Sequence, residues 1–163
     1  VGKIVNDINC TEYLHKIVGV EFSPAPYFDI EEELKVQRAV AGLISKKLIS
    51  SAHDISEGGL MVSLLESAFN RNRGFVSDAA PPAMRKDAYW FGEAQGRVVV
   101  SVEAINTEAL ESFLLSAGIP FLAVGEVTEG NIVLGGENWG DIGEWKESYE
   151  NAISRMLQQE VVI

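Results

Sequence analysis

Cysteine and histidine are scarce in this sequence, and each scarcity excludes a class of site. Cys10 has no second cysteine to pair with, so no disulfide can form within the chain, and a single thiol suits a reducing compartment such as the cytoplasm. The two histidines, His15 and His53, are far apart and fit neither H-x-x-H nor H-E-x-x-H spacing. The sequence therefore predicts no metal site built from thiolate or imidazole ligands.

Basic residues are also few, and no apolar run is long. Thirteen Lys and Arg stand against 24 Asp and Glu, which gives a formal net charge of −11. A nucleic-acid backbone would be repelled, and no stretch reaches membrane-spanning length, so neither nucleic acid nor a membrane is an expected partner. With 47% hydrophobic residues among 163, the chain can bury the core of one domain without disulfides or metal.

The N-terminal sequence, residues 1–6, has no initiator methionine and is typical of the end of a strand. We therefore expect residues 1–163 to be a single domain excised from a longer chain. A strand edge that a neighbouring domain had covered would be left bare, so a homodimer through that edge is left open.

Helical apolar spacing alternates with short β-branched runs along the chain. The valine-rich run 97–102 predicts a buried, central strand, and the strands 121–127 and 131–134 are spaced as a hairpin. The loop 79–83 contains two prolines and is a candidate lid. The order of elements predicts an α/β (α+β) domain with helices packed on a mixed sheet. The predicted helices are 11–18, 29–48, one from Leu60, 84–90, 107–117 and one from Asp141, and the remaining strands end at His53 and span 74–77.

The most informative segment is 52–60, where a short strand runs directly into a helix. Ser56 is placed to cap the helix, and Gly58 and Gly59 can adopt backbone conformations closed to other residues. Free N–H groups at such a helix start would favour an anion such as phosphate. A tight strand-to-helix turn requires the same residues, so a purely structural interpretation stays open.

Three side chains beside this turn have two interpretations each. Asp54 and Glu57 could hold magnesium or a ribose hydroxyl, or they could stabilise the helix start. His53 could contact a ligand at the end of the strand, or it could be packed and hydrogen-bonded for structure.

A second polar group lies at the start of the valine-rich strand, where Glu93, Gln95 and Arg97 follow one another. Arg97 could bind a phosphate with two hydrogen bonds, or it could form a partly exposed ion pair with Glu93. Polar side chains that enter a buried strand need some such partner in either case.

These segments together resemble the phosphoribosylformylglycinamidine synthases of the aminoimidazole-ribonucleotide-synthetase-like superfamily. The match to the C-terminal part of that family is carried by Ser51–Leu60, Phe91–Val102 and Gly125–Val127, and Thr11–Leu14 resembles the segment that opens the domain. The family's Gly-Gly-Ser is replaced here by Asn9, Cys10 and Thr11. The resemblance implies the α/β C-terminal-domain fold of this superfamily, normally preceded by an ATP-binding domain.

The family's reaction implies an ATP- and Mg²⁺-dependent ligase of purine biosynthesis, which converts formylglycinamide ribonucleotide to its amidine with ammonia derived from glutamine. The resemblance also implies three kinds of partner: upstream domains of the same polypeptide, a glutaminase component and a small bridging subunit. The enzyme would be cytoplasmic. The isolated domain is expected to be inactive and to bind no cofactor tightly.

The family's Glu-Ser-Gln-type motif appears here as Glu93-Ala94-Gln95, so no catalytic residue is carried over. A second interpretation is a structural domain of the same enzyme whose site is empty or permanently filled by a nucleotide. A third is a superfamily member that phosphorylates selenide, a thiamine phosphate or a carbamoyl group. The expected nucleotide or phosphate contacts are Asp54, Ser56, Glu57, Gly58, Gly59 and Arg97, with His53, Glu93 and Gln95 as secondary candidates.

Overall fold

The computed structural model describes residues 1–77 and 83–160. The chain divides into two compact units, the first formed by Val1–Leu64 and Ala80–Ala123 and the second by Leu65–Ala79 and Val124–Ile163. The helices and strands are α1 (Ile30–Ser45), β1 (Ser51–Asp54), α2 (Gly59–Phe69), β2 (Arg73–Ser77), α3 (Lys86–Phe91), β3 (Val98–Ser101), α4 (Thr107–Ser116), β4 (Gly125–Glu129), β5 (Asn131–Leu134), β6 (Glu137–Asp141), α5 (Ile142–Glu150) and α6 (Ala152–Glu160), with a π-helical turn at Tyr13–Val18 and a 3-10 turn at Ala104–Asn106.

The core of the first unit lies between α1 and α4. Apolar residues spaced three and four apart on both helices form the cluster, which is why each helix buries one stripe. Val98 and Val100 of β3 pack against it from alternate positions of the strand. The buried members are Val36, Ala39, Leu43, Leu110, Leu114 and Ile119.

The start of α1 follows the predicted capping pattern. The Asp29 carboxylate accepts hydrogen bonds from the N–H groups of Glu31 at 2.9 Å and Glu32 at 3.0 Å. These bonds satisfy two of the four N–H groups that a helix start leaves without partners. They also hold the pKa of Asp29 below its usual range.

This lowered pKa predicts a pH-dependent contribution of Asp29 to stability. The contribution is present above the ordinary pKa of 3.8 and is lost as the pH falls through the lower folded-state value. Asp29→Asn keeps a capping oxygen but has no charge to lose, so it should lower the thermal midpoint more at pH 7 than at pH 3. Asp29→Ala removes the hydrogen-bond acceptor, so its thermal midpoint should be lower than that of Asp29→Asn at both pH values. A constant gap between wild type and Asp29→Asn across this range would contradict the prediction.

The valine-rich strand is less central than predicted. Within residues 1–77 and 83–160, β1 is the only strand that pairs with β3, in an antiparallel two-stranded sheet. On its other side Val98 exchanges two hydrogen bonds of 2.9 Å with Val1. All four residues of β3 are only half-buried. The prediction of a buried strand in the centre of the sheet is wrong, because the valines are covered by helices on one face rather than by strands on both sides.

The second unit contains a mixed four-stranded sheet in the order β4-β2-β5-β6. The parallel neighbours are β2 and β5, and the other neighbours are antiparallel. The predicted hairpin of β4 and β5 is wrong, because β2 inserts between them. The hairpin partner of β5 is instead β6, which sequence analysis did not predict. A turn through Gly135 and Gly136, both with positive φ, joins them in the geometry that two-residue hairpin loops favour.

The last predicted helix is two helices. Asp141 caps α5 by accepting a hydrogen bond from the Gly143 N–H at 2.8 Å, as its position before the helix predicts. A break at Asn151 separates α5 from α6. Within the described ranges, no helix combines the length and the apolar content needed to cross a membrane. The predicted lid over 79–83 lies outside the described residues except for residue 83.

Candidate functional site

The strand-to-helix turn lies between β1 and α2, as predicted. The Gly59 N–H donates to the Ser56 carbonyl at 3.0 Å, and the Ile55 N–H donates to the Arg97 carbonyl at 3.0 Å. Ser56 therefore acts here through its main-chain oxygen. The second bond joins the turn to the residue that immediately precedes β3.

Both glycines of the turn have structural reasons to lack a side chain. Gly58 and Gly59 have φ angles of +80° and +68°, which L side chains rarely adopt. A Cβ on Gly58 would lie 2.2 Å from Val62 Cγ2. A Cβ on Gly59 would lie 2.7 Å from main-chain atoms of Trp90 and Phe91. Gly59 thus lets the start of α2 pack against the end of α3, and Gly58 leaves room for Val62 in the first turn of α2.

The Glu93 carboxylate already occupies the anion position that the turn was predicted to offer. Its Oε1 accepts hydrogen bonds from the Gly58 N–H at 2.8 Å and from the Glu12 N–H at 3.0 Å. A carboxylate that accepts hydrogen bonds from main-chain N–H groups forms strong, charge-assisted bonds. An external phosphate could reach the Gly58 amide only by displacing Glu93.

Arg97 is buried and bonded to its own loop. Only 5% of the surface of this residue is exposed, which is unusual for a charged residue. Its Nε donates to the Ala94 carbonyl at 3.3 Å, and one terminal nitrogen donates to the Gly92 carbonyl. Burial lowers the pKa of this guanidinium. Two of the three nitrogens that could bind a phosphate therefore donate to main-chain carbonyls instead.

The remaining candidates lie nearer to solvent. Asp54, Glu57 and Gln95 are exposed, and His53 is half-buried with its Nδ1 2.7 Å from the Asp54 carbonyl oxygen. Across residues 1–77 and 83–160, no three His, Cys, Asp or Glu side chains converge as a metal ion would require.

Sequence analysis missed how the opening segment packs against the end of α3. The rings of Tyr13 and Phe91 stack with their centroids 4.7 Å apart. Thr11 is buried, accepts from the Leu14 N–H at 3.1 Å and donates to the Ile8 carbonyl at 2.7 Å. A Thr before an aromatic residue is too common a pattern to have revealed these contacts from the sequence.

Comparison with protein families identifies the domain. The family described as AIR synthase related protein, C-terminal domain, matches residues 8–135, which include the turn, Glu93 and Arg97. This chain belongs to that family. The match covers both the opening segment and the strand-to-helix turn, so the resemblance inferred from those motifs is confirmed.

Curated relatives of this AIR synthase-related domain are PurL subunits of phosphoribosylformylglycinamidine synthase. The subunit from Salinibacter ruber is 40% identical over 125 residues, which are 76% of this chain and 17% of the relative. The subunit from Rhodopseudomonas palustris strain BisB18 is 32% identical over 150 residues, which are 92% of this chain and 20% of the relative. The chain thus spans about a fifth of the length of these relatives.

Solved structures share the fold of this domain. Thermotoga maritima PurL complexed with FGAR superposes on 79% of this chain and 23% of its own, with a TM-score of 0.67 and 16% identity. The same protein complexed with ATP covers 67% and 20%, with a TM-score of 0.58 and 16% identity. PurLQS from T. maritima covers 77% and 22%, with a TM-score of 0.60 and 17% identity. The predicted mixed α/β fold is confirmed.

Proposed function

We propose that this chain is the C-terminal domain of a phosphoribosylformylglycinamidine synthase, an ATP-dependent ligase that forms an amidine in purine biosynthesis. The observation that carries the proposal is the 40% identity to the S. ruber PurL subunit over three quarters of the chain. The substrate would be formylglycinamide ribonucleotide, and the nitrogen would be ammonia released from glutamine.

The role that the geometry supports best within this ligase is structural. The Gly58 amide is held by Glu93, and the Arg97 guanidinium is held by main-chain carbonyls. ATP and Mg²⁺ would then be bound by other domains of the longer polypeptide, and this chain alone would bind neither tightly and would be inactive. We derive no chemical step from a nucleotide or metal at this turn.

A second role is favoured by the exposure of two carboxylates at the turn. Asp54 and Glu57 both face solvent where β1 ends and α2 begins. If another domain of the polypeptide covers this edge, these side chains would form one wall of a nucleotide site. This role differs from the first in requiring the charges of Asp54 and Glu57.

The proposal also includes partners and a compartment. The T. maritima PurLQS assembly has the same fold in part of its structure. By that likeness we expect upstream domains of the same polypeptide, a glutaminase component and a small bridging subunit as partners. We expect the enzyme to be cytoplasmic, and pairing of two isolated copies stays a prediction.

Complementation of a purine auxotroph that lacks this ligase tests the proposal. The longer polypeptide that carries this chain should restore growth without added purines, and failure by the soluble wild-type protein would refute the ligase assignment. The double variant Asp54→Ala, Glu57→Ala should still restore growth if the role is structural. It should fail to restore growth if these carboxylates form one wall of a nucleotide site. The double variant Glu103→Ala, Glu108→Ala removes two exposed charges elsewhere in the first unit and serves as the matched control.

A further inference from the structure

The main chain of β3 has an open side that faces away from β1. The two strands are antiparallel, with Asp54 opposite Val98. The Ile55 N–H donates to the Arg97 carbonyl, so the next two opposed residues form a hydrogen-bonded pair. Because bonded and non-bonded pairs alternate along antiparallel strands, the main-chain N–H and C=O groups of Val98 and Val100 point away from β1. We call this side the outer edge of β3.

Val1 already pairs with the outer edge of β3. Its nitrogen donates to the Val98 carbonyl and its carbonyl accepts from the Val98 N–H, both at 2.9 Å. Two bonds exchanged between the same two residues are typical of an antiparallel pair. A chain that continued upstream from Val1 in the same direction would run beside Val99 and Val100. The residue two positions before Val1 would then exchange the same two bonds with Val100.

The outer edge of β3 is the better of the two edges of this sheet for a further strand. Beyond Val98, no strand within the described ranges pairs with it, and all four residues of β3 are only half-buried. On the far side of β1, by contrast, the Asp54 carbonyl accepts a hydrogen bond from Ser63 Oγ of α2 at 3.2 Å. Unpaired main-chain groups along a strand edge are where an extended segment can add.

The outer edge also lies next to the core of the first unit. Val1, Val98 and Val100 all pack against the apolar cluster between α1 and α4. Side chains alternate between the two faces of a strand, so the residues two and four positions before Val1 would lie on the same face as Val1. Apolar side chains at these two positions would extend the core.

Residues 1–2 have neighbours on both sides. The Gly2 N–H donates to the Pro120 carbonyl at 2.8 Å, on the side opposite to β3. Residues 121–123, which sequence analysis predicts as part of a strand, follow Pro120, but the observed strand β4 begins only at Gly125. The start of the chain is therefore placed as an inner strand is, between two extended segments.

This position favours a neutral nitrogen at Val1. Burial, and then the charge of nearby Arg97, lower the pKa of the Val1 ammonium group from 8.0 to about 6. The folded state thus disfavours a positive charge at this nitrogen. A peptide bond at the same nitrogen is neutral and keeps the one N–H group that the Val98 carbonyl accepts. The surroundings of Val1 therefore suit a residue in the interior of a polypeptide.

We propose that the segment immediately before Val1 in the longer polypeptide forms an antiparallel strand on the outer edge of β3. The inference rests on the proposed function, because the chain spans about a fifth of the length of the PurL relatives. Val1 fixes both the direction and the register of this strand, which a second copy of the chain would not share. The sheet then contains β1, β3 and the added strand, in this order.

Hydrogen exchange in the longer polypeptide and in the chain of residues 1–163 tests the added strand. Mass spectrometry with electron-transfer fragmentation resolves single amides. The Val100 N–H should exchange more slowly in the longer polypeptide, because it gains a carbonyl partner. This slowing should exceed that at Val99, which already faces β1, and that at Leu114 in the core by about tenfold or more.

Three results of this exchange experiment would overturn the proposal. The first is an equal rate at Val100 in the two proteins. The second is equal slowing at Val99 and Val100, which would indicate a covering domain without a strand. The third is protection of Val100 in the isolated chain that rises with protein concentration, which would assign the edge to a second copy.

Two tetrapeptide extensions of residues 1–163 test the register without depending on the ligase assignment. Each follows an initiator methionine and directly precedes Val1. Val-Thr-Val-Thr places its valines two and four positions before Val1, on the core face, whereas Thr-Val-Thr-Val has the same composition and places them on the other face. The first extension should give a thermal midpoint about 4 °C or more above that of the second.

Equal midpoints of the two extended chains would overturn the proposed strand, and the complementation result would still stand. Failed complementation together with the expected difference between the midpoints would refute the ligase and support the strand. The two failures are therefore distinguishable.

Discussion

Gly59→Ala should destabilise the first unit by about 2–5 kcal/mol, which is enough to unfold many domains of this size. Part of the loss comes from the left-handed backbone, which costs a non-glycine residue about 1–2 kcal/mol. The rest comes from overlap, because the new Cβ would lie 2.7 Å from main-chain atoms of Trp90 and Phe91. A main chain cannot move aside as a flexible side chain can.

Gly118→Ala is the matched control for this substitution. Gly118 has a φ of +66°, within a few degrees of Gly59, but no atom of the described residues lies within 4 Å of its Cβ position. Gly118→Ala should therefore lower the free energy of unfolding only by the cost of the left-handed backbone, about 1–2 kcal/mol. Urea unfolding of both variants measures the difference, and equal losses would show that the overlap with α3 is relieved by small movements.

The turn that contains Gly59 shows what local sequence can predict. A strand, a capping residue, two glycines and an apolar helical stripe are all contiguous, so their order determines a strand-to-helix turn at the observed position. The same holds for Asp29 and Asp141, which cap helices that begin at the next residue. In each case the interacting atoms lie within four residues of one another.

Pairing between distant segments was not predictable in this way. The spacing of β4 and β5 fits a hairpin, yet β2, about fifty residues earlier, lies between them. Local periodicity carries no information on which strand inserts between two others. The valines of β3 indicated contact with the core, but they could not indicate that helices on one face, rather than strands on both sides, would cover them.

In the candidate site too, the local turn was predictable from the sequence, whereas the contact between distant residues was not. Sequence analysis named both Glu93 and the 52–60 turn as candidate ligand contacts, and the structure joins them through the Gly58 N–H. It could not show that Glu93 itself takes the place of the expected anion, because the interacting residues are 35 positions apart. An acidic residue near a glycine turn is equally compatible with a ligand contact and with an internal acceptor.

If Arg97 has a structural role, its replacement should cause a large loss of stability. Arg97→Ala should destabilise the first unit by about 3–5 kcal/mol. The substitution leaves a cavity, and the Gly92 and Ala94 carbonyls lose their hydrogen-bond donors. Arg97→Lys keeps the charge but cannot reproduce the planar set of donors, so it should lose about 1–3 kcal/mol. A ligand-binding arginine facing solvent would show neither loss.

Arg85→Ala provides the comparison at an exposed arginine of the same unit. Arg85 pairs with Asp87 at 2.6 Å, and its side chain is 58% exposed, so the loss should stay below about 1 kcal/mol. Urea unfolding at pH 7 measures all three variants. A loss for Arg97→Ala no larger than for Arg85→Ala would mean that the guanidinium is not required by the loop it binds.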